Sequence, residues 1–352
     1  MRCITGRYVW LLAVGCWLLA ACSSDSTNEQ RTVNTLQVVP YTAAYQNYGA
    51  LSRRADSEGY SPYTPDHDFT IGLFIKPDDL PSSEYDLKLI RYSNGVWHSQ
   101  AIVEDGKGYT IYGFMPKTNA ITPTISQSGD DVILTLTGIP AVIAEDVCFI
   151  TGVKDVDGDL LQGKFNYTFH DTDSPTDNEV RLLMDHLFAA VKLNFTVDEE
   201  YSALRKIKLK GMALTTTNTS VSATITLTPN ITGADPVKSV SYTLTTADEG
   251  TQTATFFENT AGIELKPENA ATIGGYFGYF APEQSSALTL VCTYDVYDRY
   301  DNKIRENCTA TNVLPDLSAS RGQLVTLNLN VAPTYLGQLS EKDLDSPEFT
   351  VN

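Results

Sequence analysis

The stretch "FTIGLFIKPDDLPSSEYDLKLIRYSNGVWHSQAIV" (residues 69–103) decides the fold. Apolar and polar residues alternate with a period of two through 69–76, 86–93 and 96–103. A strand puts successive side chains on opposite faces, so this rhythm predicts half-buried strands separated by turns. It continues outward in both directions. Upstream lies "TLQVV" (35–39); downstream come "YTIYGFM" (109–115), "VILTLTG" (132–138), "VCFITGVK" (147–154), "LLQGKFNYTF" (160–169), "VKLNFTV" (191–197) and "IKLKGMAL" (207–214). One segment breaks the pattern. "DNEVRLLMDHLFAAV" (177–191) has Val180, Leu183, Leu187 and Ala190 at helical spacing with Asp177 as N-cap, so a helix is expected there. The polar run "TTTNTS" (215–220) reads as a domain boundary, after which strands resume at 220–229, 238–246, 251–258, 274–282 and 322–331. The expectation is an all-β protein with one short helix, folded as two antiparallel β-sandwich domains. "YGFMP" (112–116) and "GYFAP" (278–282) align Phe114 with Phe280 and Pro116 with Pro282, a faint repeat that suits two related halves.

The beginning of the chain has a different character. "MRCITGRYVWLLAVGCWLLAA" (1–21) joins basic Arg2 and Arg7 to an apolar core and small residues, the pattern of an export signal. Its ending, "LLAAC", resembles the lipobox of bacterial lipoproteins, which implies that Cys22 is lipidated and anchors the chain to a membrane. "SSDSTNEQ" (23–30) is then a polar tether. Losing Arg2 and Arg7 takes the formal charge from −18 to −20, with 23 basic residues left against 43 acidic ones. Such a surface repels nucleic acid and anionic lipid.

Candidates for chemistry are few. His67, His98, His170 and His186 show no zinc-type spacing, and no nucleophile elbow, phosphate loop or dinucleotide motif occurs. His186 is read as a packed or helix-capping residue. Asp155, Asp157 and Asp159 alternate like calcium ligands, but the glycine is misplaced for an EF-hand and no bidentate Glu follows, so Asp-Gly reads as a hairpin turn. The abundant carboxylates read as a solvated surface. No enzyme, metal or cofactor is expected. Tyr41, Tyr45, Tyr48, Tyr60 and Tyr63 cluster before the first firm strand and could stack on a glycan or pack onto the sandwich. Cys292 and Cys308 flank the turn "DRYDN". A hairpin symmetric about Tyr300 would set them opposite one another, where a disulfide could close the loop and contribute about 3 kcal/mol.

Several segments together resemble the fimbrillin-type (FimA-like and Mfa-like, type V) pilins of Gram-negative gut and oral anaerobes. They are "NLNVAPTYLGQLSEKDLDSPEFTVN" (328–352), "DHLFAAVKLNFTV" (185–197) with "LRKIKLKGMAL" (204–214), "FTIGLFI" (69–75) and "YTIYGFMP" (109–116). The resemblance implies transthyretin-like sandwiches over 55–215 and 216–332. It implies an outer-membrane lipoprotein precursor with signal 1–21 and a segment 22–54 that holds the first strand. It further implies an arginine-specific cut after Arg53 or Arg54 and loss of that segment. The gap would be filled by an extended strand from the next subunit, a donor tail (333–352) with Tyr335, Leu336, Phe349 and Val351 as plugs. Its partners would be further pilin subunits joined head to tail into a cell-surface fimbrium for adhesion, with this chain as a shaft subunit. The alternatives are a tip or anchor fimbrillin, or a monomeric surface lipoprotein that binds glycans.

Overall fold

Period-two alternation becomes sheet almost throughout. The computed structural model describes residues 34–47, 59–81, 84–154, 162–169, 179–246, 250–267, 276–282, 288–314, 317, 319–333 and 344–351. Among them are 25 strands and one helix, Glu199–Leu204. That helix is N-capped by Asp198, whose carboxylate accepts the Tyr201 N–H at 2.8 Å. No helix among the described residues is long and apolar enough to cross a membrane.

The strands form two sandwiches, each with its own core. In the first, a large sheet runs in the order Tyr60–Pro62, Gln37–Ala43, Glu179–His186, Cys148–Lys154, Gly108–Met115, Phe69–Pro77, Asp86–Ser93, Val96–Ser99. It faces a four-stranded sheet of Thr122–Ser128, Asp131–Pro140, Asn218–Leu227 and Val237–Thr246. Phe74, Phe114, Phe149, Leu134 and Ile225 lie in the core between them. In the second, the sheet Val142–Ile143, Phe277–Phe280, Ala189–Val197, Gln323–Pro333, Pro347–Val351 faces Gln252–Leu265, Arg205–Thr216, Leu288–Asp298 and Lys303–Leu314. Phe195, Leu214, Phe280 and Leu329 lie in its core. Phe114 and Phe280, the aligned residues of the faint repeat, are both fully buried, one in each core.

Three expectations are corrected. The segment expected as a helix at 177–191 supplies two strands, Glu179–His186 and Ala189–Val197. Glu179–His186 lies between neighbours on both sides, and Val180, Leu182, Leu183 and Met184 are all buried. A strand covered on both faces loses its alternation, and the remaining apolar run cannot be told from a helix by period. The polar run at 215–220 is not a linker: Arg205–Thr216 and Asn218–Leu227 almost abut, and Thr216 and Asn218 are buried. Thr suits a half-covered pleated surface as well as a loop. Nor does the division at 215/216 match the division of the cores. The chain touches the second core at Val142, returns to the first, enters the second again with Ala189–Val197 and Arg205–Thr216, goes back to the first with Asn218–Leu227 and Val237–Thr246, and rejoins the second at Gln252–Leu265.

Among the described residues most pairings are antiparallel, but three are parallel. Gln37–Ala43 runs parallel to Glu179–His186, Ala189–Val197 parallel to Gln323–Pro333, and Gln46–Asn47 parallel to the start of Gln323–Pro333.

Candidate functional site

Residues 34–47 form one extended segment threaded through both sandwiches. Asn34 and Thr35 pair with Val103 and Ile102, and the Leu36 N–H donates to the Ala101 carbonyl at 3.0 Å. Gln37–Ala43 then inserts between Glu179–His186 and Tyr60–Pro62, with register Val38↔Val180 and Thr42↔Met184 on one side and Thr42↔Ser61 on the other. Leu36 is 0% and Val38 3% exposed, and both belong to the first core. Gln46 and Asn47 move on to Gln323 and Leu324 in the second sandwich. Removing this segment would leave the edge of Glu179–His186 without its ladder partner and uncover the apolar seats of Leu36 and Val38.

A buried polar cluster fastens the end of the segment. The His186 Nε2–H donates to the Ala43 carbonyl at 2.6 Å, and the other ring nitrogen, Nδ1, lies 2.8 Å from Asp146 Oδ2 and 3.5 Å from Cys148 Sγ. Tyr45 stacks on the imidazole, centroids 3.6 Å apart, and its hydroxyl donates to Asp146 Oδ1 at 2.7 Å. Burial alone would pull His186 down. The Asp146 carboxylate and the Ala43 carbonyl outweigh it, so the imidazole titrates above its ordinary value. Burial, with Asp146 beside them, pushes Tyr45 and Cys148 well up. Next to this cluster, Asp185 accepts the Tyr60 hydroxyl at 2.5 Å and lies 3.6 Å from Arg321 Nη1. Burial and Asp185 raise Tyr60 too. Tyr45 and Tyr60 flank residues 48–58, so both shoulders of that connection are tied by side chains to the Asp185–His186 end of one strand.

The sequence missed this cluster because its members are spread over 45, 146, 148 and 186 and meet only through the sheet. Asp146 and Cys148, two apart at the start of a strand, were the faint signal. His186 is packed as expected, but from a strand. Of the clustered tyrosines, Tyr45 gives its hydroxyl to buried Asp146 and Tyr60 to half-buried Asp185, Tyr63 packs against Phe69 at 5.4 Å, and Tyr41 lies beneath the Arg181 guanidinium at 5.7 Å. These four rings pack onto the sandwich, the second of the two arrangements the sequence left open. Cys22, Arg53, Arg54, Tyr48, Asp155, Asp157, Asp159, His170, Tyr335 and Leu336 lie outside the described residues.

The rest of the tail is described. Pro347–Val351 pairs antiparallel with Gln323–Pro333 of its own chain, from Pro333↔Pro347 to Leu329↔Val351. Phe349 is buried in the second core with its ring 4.7 Å from that of Tyr294, and Val351 is half-buried. Just before it, Asp345 pairs with Arg205 at 2.9 Å, the Leu344 carbonyl accepts the Tyr201 hydroxyl at 3.0 Å, and Arg305 bonds the Asp345 carbonyl and Ser346. Phe349 and Val351 are therefore docked on their own sandwich; they do not project as a free donor.

The cysteine expectation is also corrected. Cys148, Cys292 and Cys308 are free. The turn is centred on Tyr300 as expected, with Tyr297 opposite Lys303, but two bulges follow, and each adds a residue to the returning strand. Cys292 thus faces Ala310, and Cys308 faces Tyr294.

No protein-family model matches the chain, and no curated protein matches it. Solved structures do. A candidate cell adhesion protein from Bacteroides uniformis aligns over 90% of this chain and 98% of its own, at 11% identity and a TM-score of 0.36. Another from Bacteroides fragilis aligns over 91% and 97%, at 9% identity and 0.39. A fimbrial protein from Bacteroides vulgatus aligns over 89% and 98%, at 12% identity and 0.33.

Proposed function

We propose that this chain is a non-enzymatic fimbrial subunit, exported as a lipoprotein and polymerised at the cell surface by strand exchange. The observation that carries this reading is the seat of residues 34–47. The first strand completes a sheet from between two other strands, and the connection leaving it includes the dibasic pair Arg53-Arg54. A basic pair in a polar connection is a good proteolytic site.

Cutting there does not by itself release the strand. Burial of Leu36 and Val38 holds it by about 1.5–3 kcal/mol each, and each ladder hydrogen bond adds roughly 1 kcal/mol net. The nicked segment leaves when another extended strand offers the same ladder and comparable side chains, so release and subunit joining become one exchange. The C-terminal strand suits this role. It is short, starts at a proline, alternates Phe349 and Val351 with Thr350, and is attached along one edge only. Each subunit receives at its first-strand seat and gives its tail to the next, which is a head-to-tail contact that extends into a filament.

The test is limited digestion of the purified, lipid-free chain with a trypsin-like protease. Cleavage after Arg53 or Arg54 is expected to be followed by a ladder of polymers on gels run without boiling. The chain lacking 333–352 is expected to be cut equally well and to stay monomeric. Undiminished polymer from that truncated chain would refute the exchange.

A further inference from the structure

Asp146, Cys148 and His186 converge in the first sandwich without any zinc-type spacing in the sequence. One ligand atom from each, a carboxylate oxygen, Sγ and Nδ1, lie within 4.8 Å of one another, and all three side chains are buried. Ligand atoms bound about 2.0–2.3 Å from one tetrahedral ion are roughly 3.3–3.8 Å apart. The 3.5 Å between Cys148 and His186 already meets this, and the 2.8 Å between Asp146 and His186 needs only a small widening.

The surroundings point the same way. Because the Ala43 carbonyl can only accept, it takes the proton on Nε2 and leaves Nδ1 turned toward Asp146 and Cys148. A histidine whose far nitrogen is fixed by a backbone carbonyl is oriented as metal-binding histidines are. Tyr45 closes the cluster from above, and its hydroxyl, bonded to Asp146, is the neighbouring polar group for a fourth position.

We propose that Asp146, Cys148 and His186 form a binding site for one zinc-class divalent cation, beneath residues 43–45 of the first segment. Thiolate, imidazole and carboxylate together suit Zn2+ and disfavour Mg2+ and Ca2+, which take oxygen ligands. Binding expels the Cys148 thiol proton and any proton on His186 Nδ1 to solvent, leaving thiolate and neutral imidazole as ligands. The dication neutralises the thiolate and carboxylate that binding leaves together away from water. With Ala43 and Tyr45 over the site, the ion enters during folding or when that segment lifts, and once bound it holds the segment down. The site does not depend on polymerisation, so its failure would leave the proposed function standing.

The full chain, free of any affinity-tag histidines, is refolded from urea with Co2+ and desalted. One Co2+ per chain is expected, with a thiolate-to-cobalt charge-transfer band in the near ultraviolet. Zn2+ is expected to displace it and abolish the band. Cys148→Ser, nearly the same size, is expected to lose the band and to bind Zn2+ at least about ten-fold more weakly in chelator competition. Asp146→Asn, the second variant should the first misfold by circular dichroism, is expected to weaken Zn2+ to a similar degree. A wild-type chain that retains no Co2+, or a charge-transfer band that persists in Cys148→Ser, would make the trio a hydrogen-bonded core cluster and nothing more.

Discussion

Asp295 shows how much one side chain decides. It is buried, at 3% exposure, at one of the two bulges of the cysteine hairpin, between Tyr294 and Val296. Burial pushes its carboxyl up. The Asn307 N–H at 2.8 Å, Lys303 at 3.2 Å and Lys210 at 3.6 Å outweigh that and hold it below the usual carboxylate range. A carboxyl depressed in the folded state stabilises above its ordinary titration range and loses that contribution as pH falls through the folded value. Asp295→Asn is therefore expected to lose roughly 1.5–3 kcal/mol at neutral pH, where it gives up charged hydrogen bonds. As pH falls below the ordinary carboxylate range and through the folded value, the deficit should shrink toward zero; urea midpoints for both proteins on the way down check it. None of this was legible in the sequence. The turn centre at Tyr300 could be read from composition, but bulges are chosen by what a strand must cover, and two of them moved Cys308 two places along its partner. His186 was legible as packed, because it sits in an apolar run; its partners Asp146, Cys148 and Tyr45 were not, because no local spacing links them.

Single elements were read well where one face is wet. Gln323–Pro333 lies where the alternation put it, because exposed Thr326 and Asn328, set between buried Val325, Leu327 and Leu329, preserve the period. Glu179–His186 was misread because Val180, Leu182, Leu183 and Met184 are buried across both of its faces, which erases the alternation. Thr122–Ser128 was missed for the opposite reason: it is an edge strand of polar residues with little apolar signal to read. The C-terminal strand lies between these cases. Its alternation predicted an extended segment with Phe349 and Val351 on one face, but alternation does not say whose sheet receives that face. Here it is the chain's own, and Phe349 fills a site against Tyr294. Phe349→Ala is expected to cost about 3 kcal/mol, the size of a large core truncation. In hydrogen exchange the loss of protection should concentrate in Pro347–Val351 and the facing residues 329–333. A uniform loss across both sandwiches would mean that the tail is integral to the fold and not a separable strap.

Across the whole molecule, the proposed exchange gives the first and last strands one kind of work. Each is an extended segment hydrogen-bonded into a sheet, the first beside Glu179–His186 and the last beside Gln323–Pro333. Sequence reading recovered both ends and the two-sandwich plan. It did not recover how the chain shuttles between cores, because the strands on either side of each crossing look alike in sequence. Under the proposed exchange, the internal docking of the tail is a brake, since a strand on its own sheet is not available to a neighbour. The brake can be loosened without touching the donor residues. Asp345 holds Arg205 at 2.9 Å just before the tail strand, in a pair that is 14% and 23% exposed and so only partly screened. Asp345→Ala removes that pair, worth on the order of 1 kcal/mol at such a site, and leaves 347–351 intact. After protease cutting, the variant is expected to polymerise about five-fold faster than wild type, the factor that 1 kcal/mol implies for a pre-equilibrium release of the tail. Uncut, it should remain monomeric, because the first-strand seat is still filled. Polymerisation of Asp345→Ala that is slower than wild type, or independent of cutting, would place the joining of subunits somewhere other than these two strands.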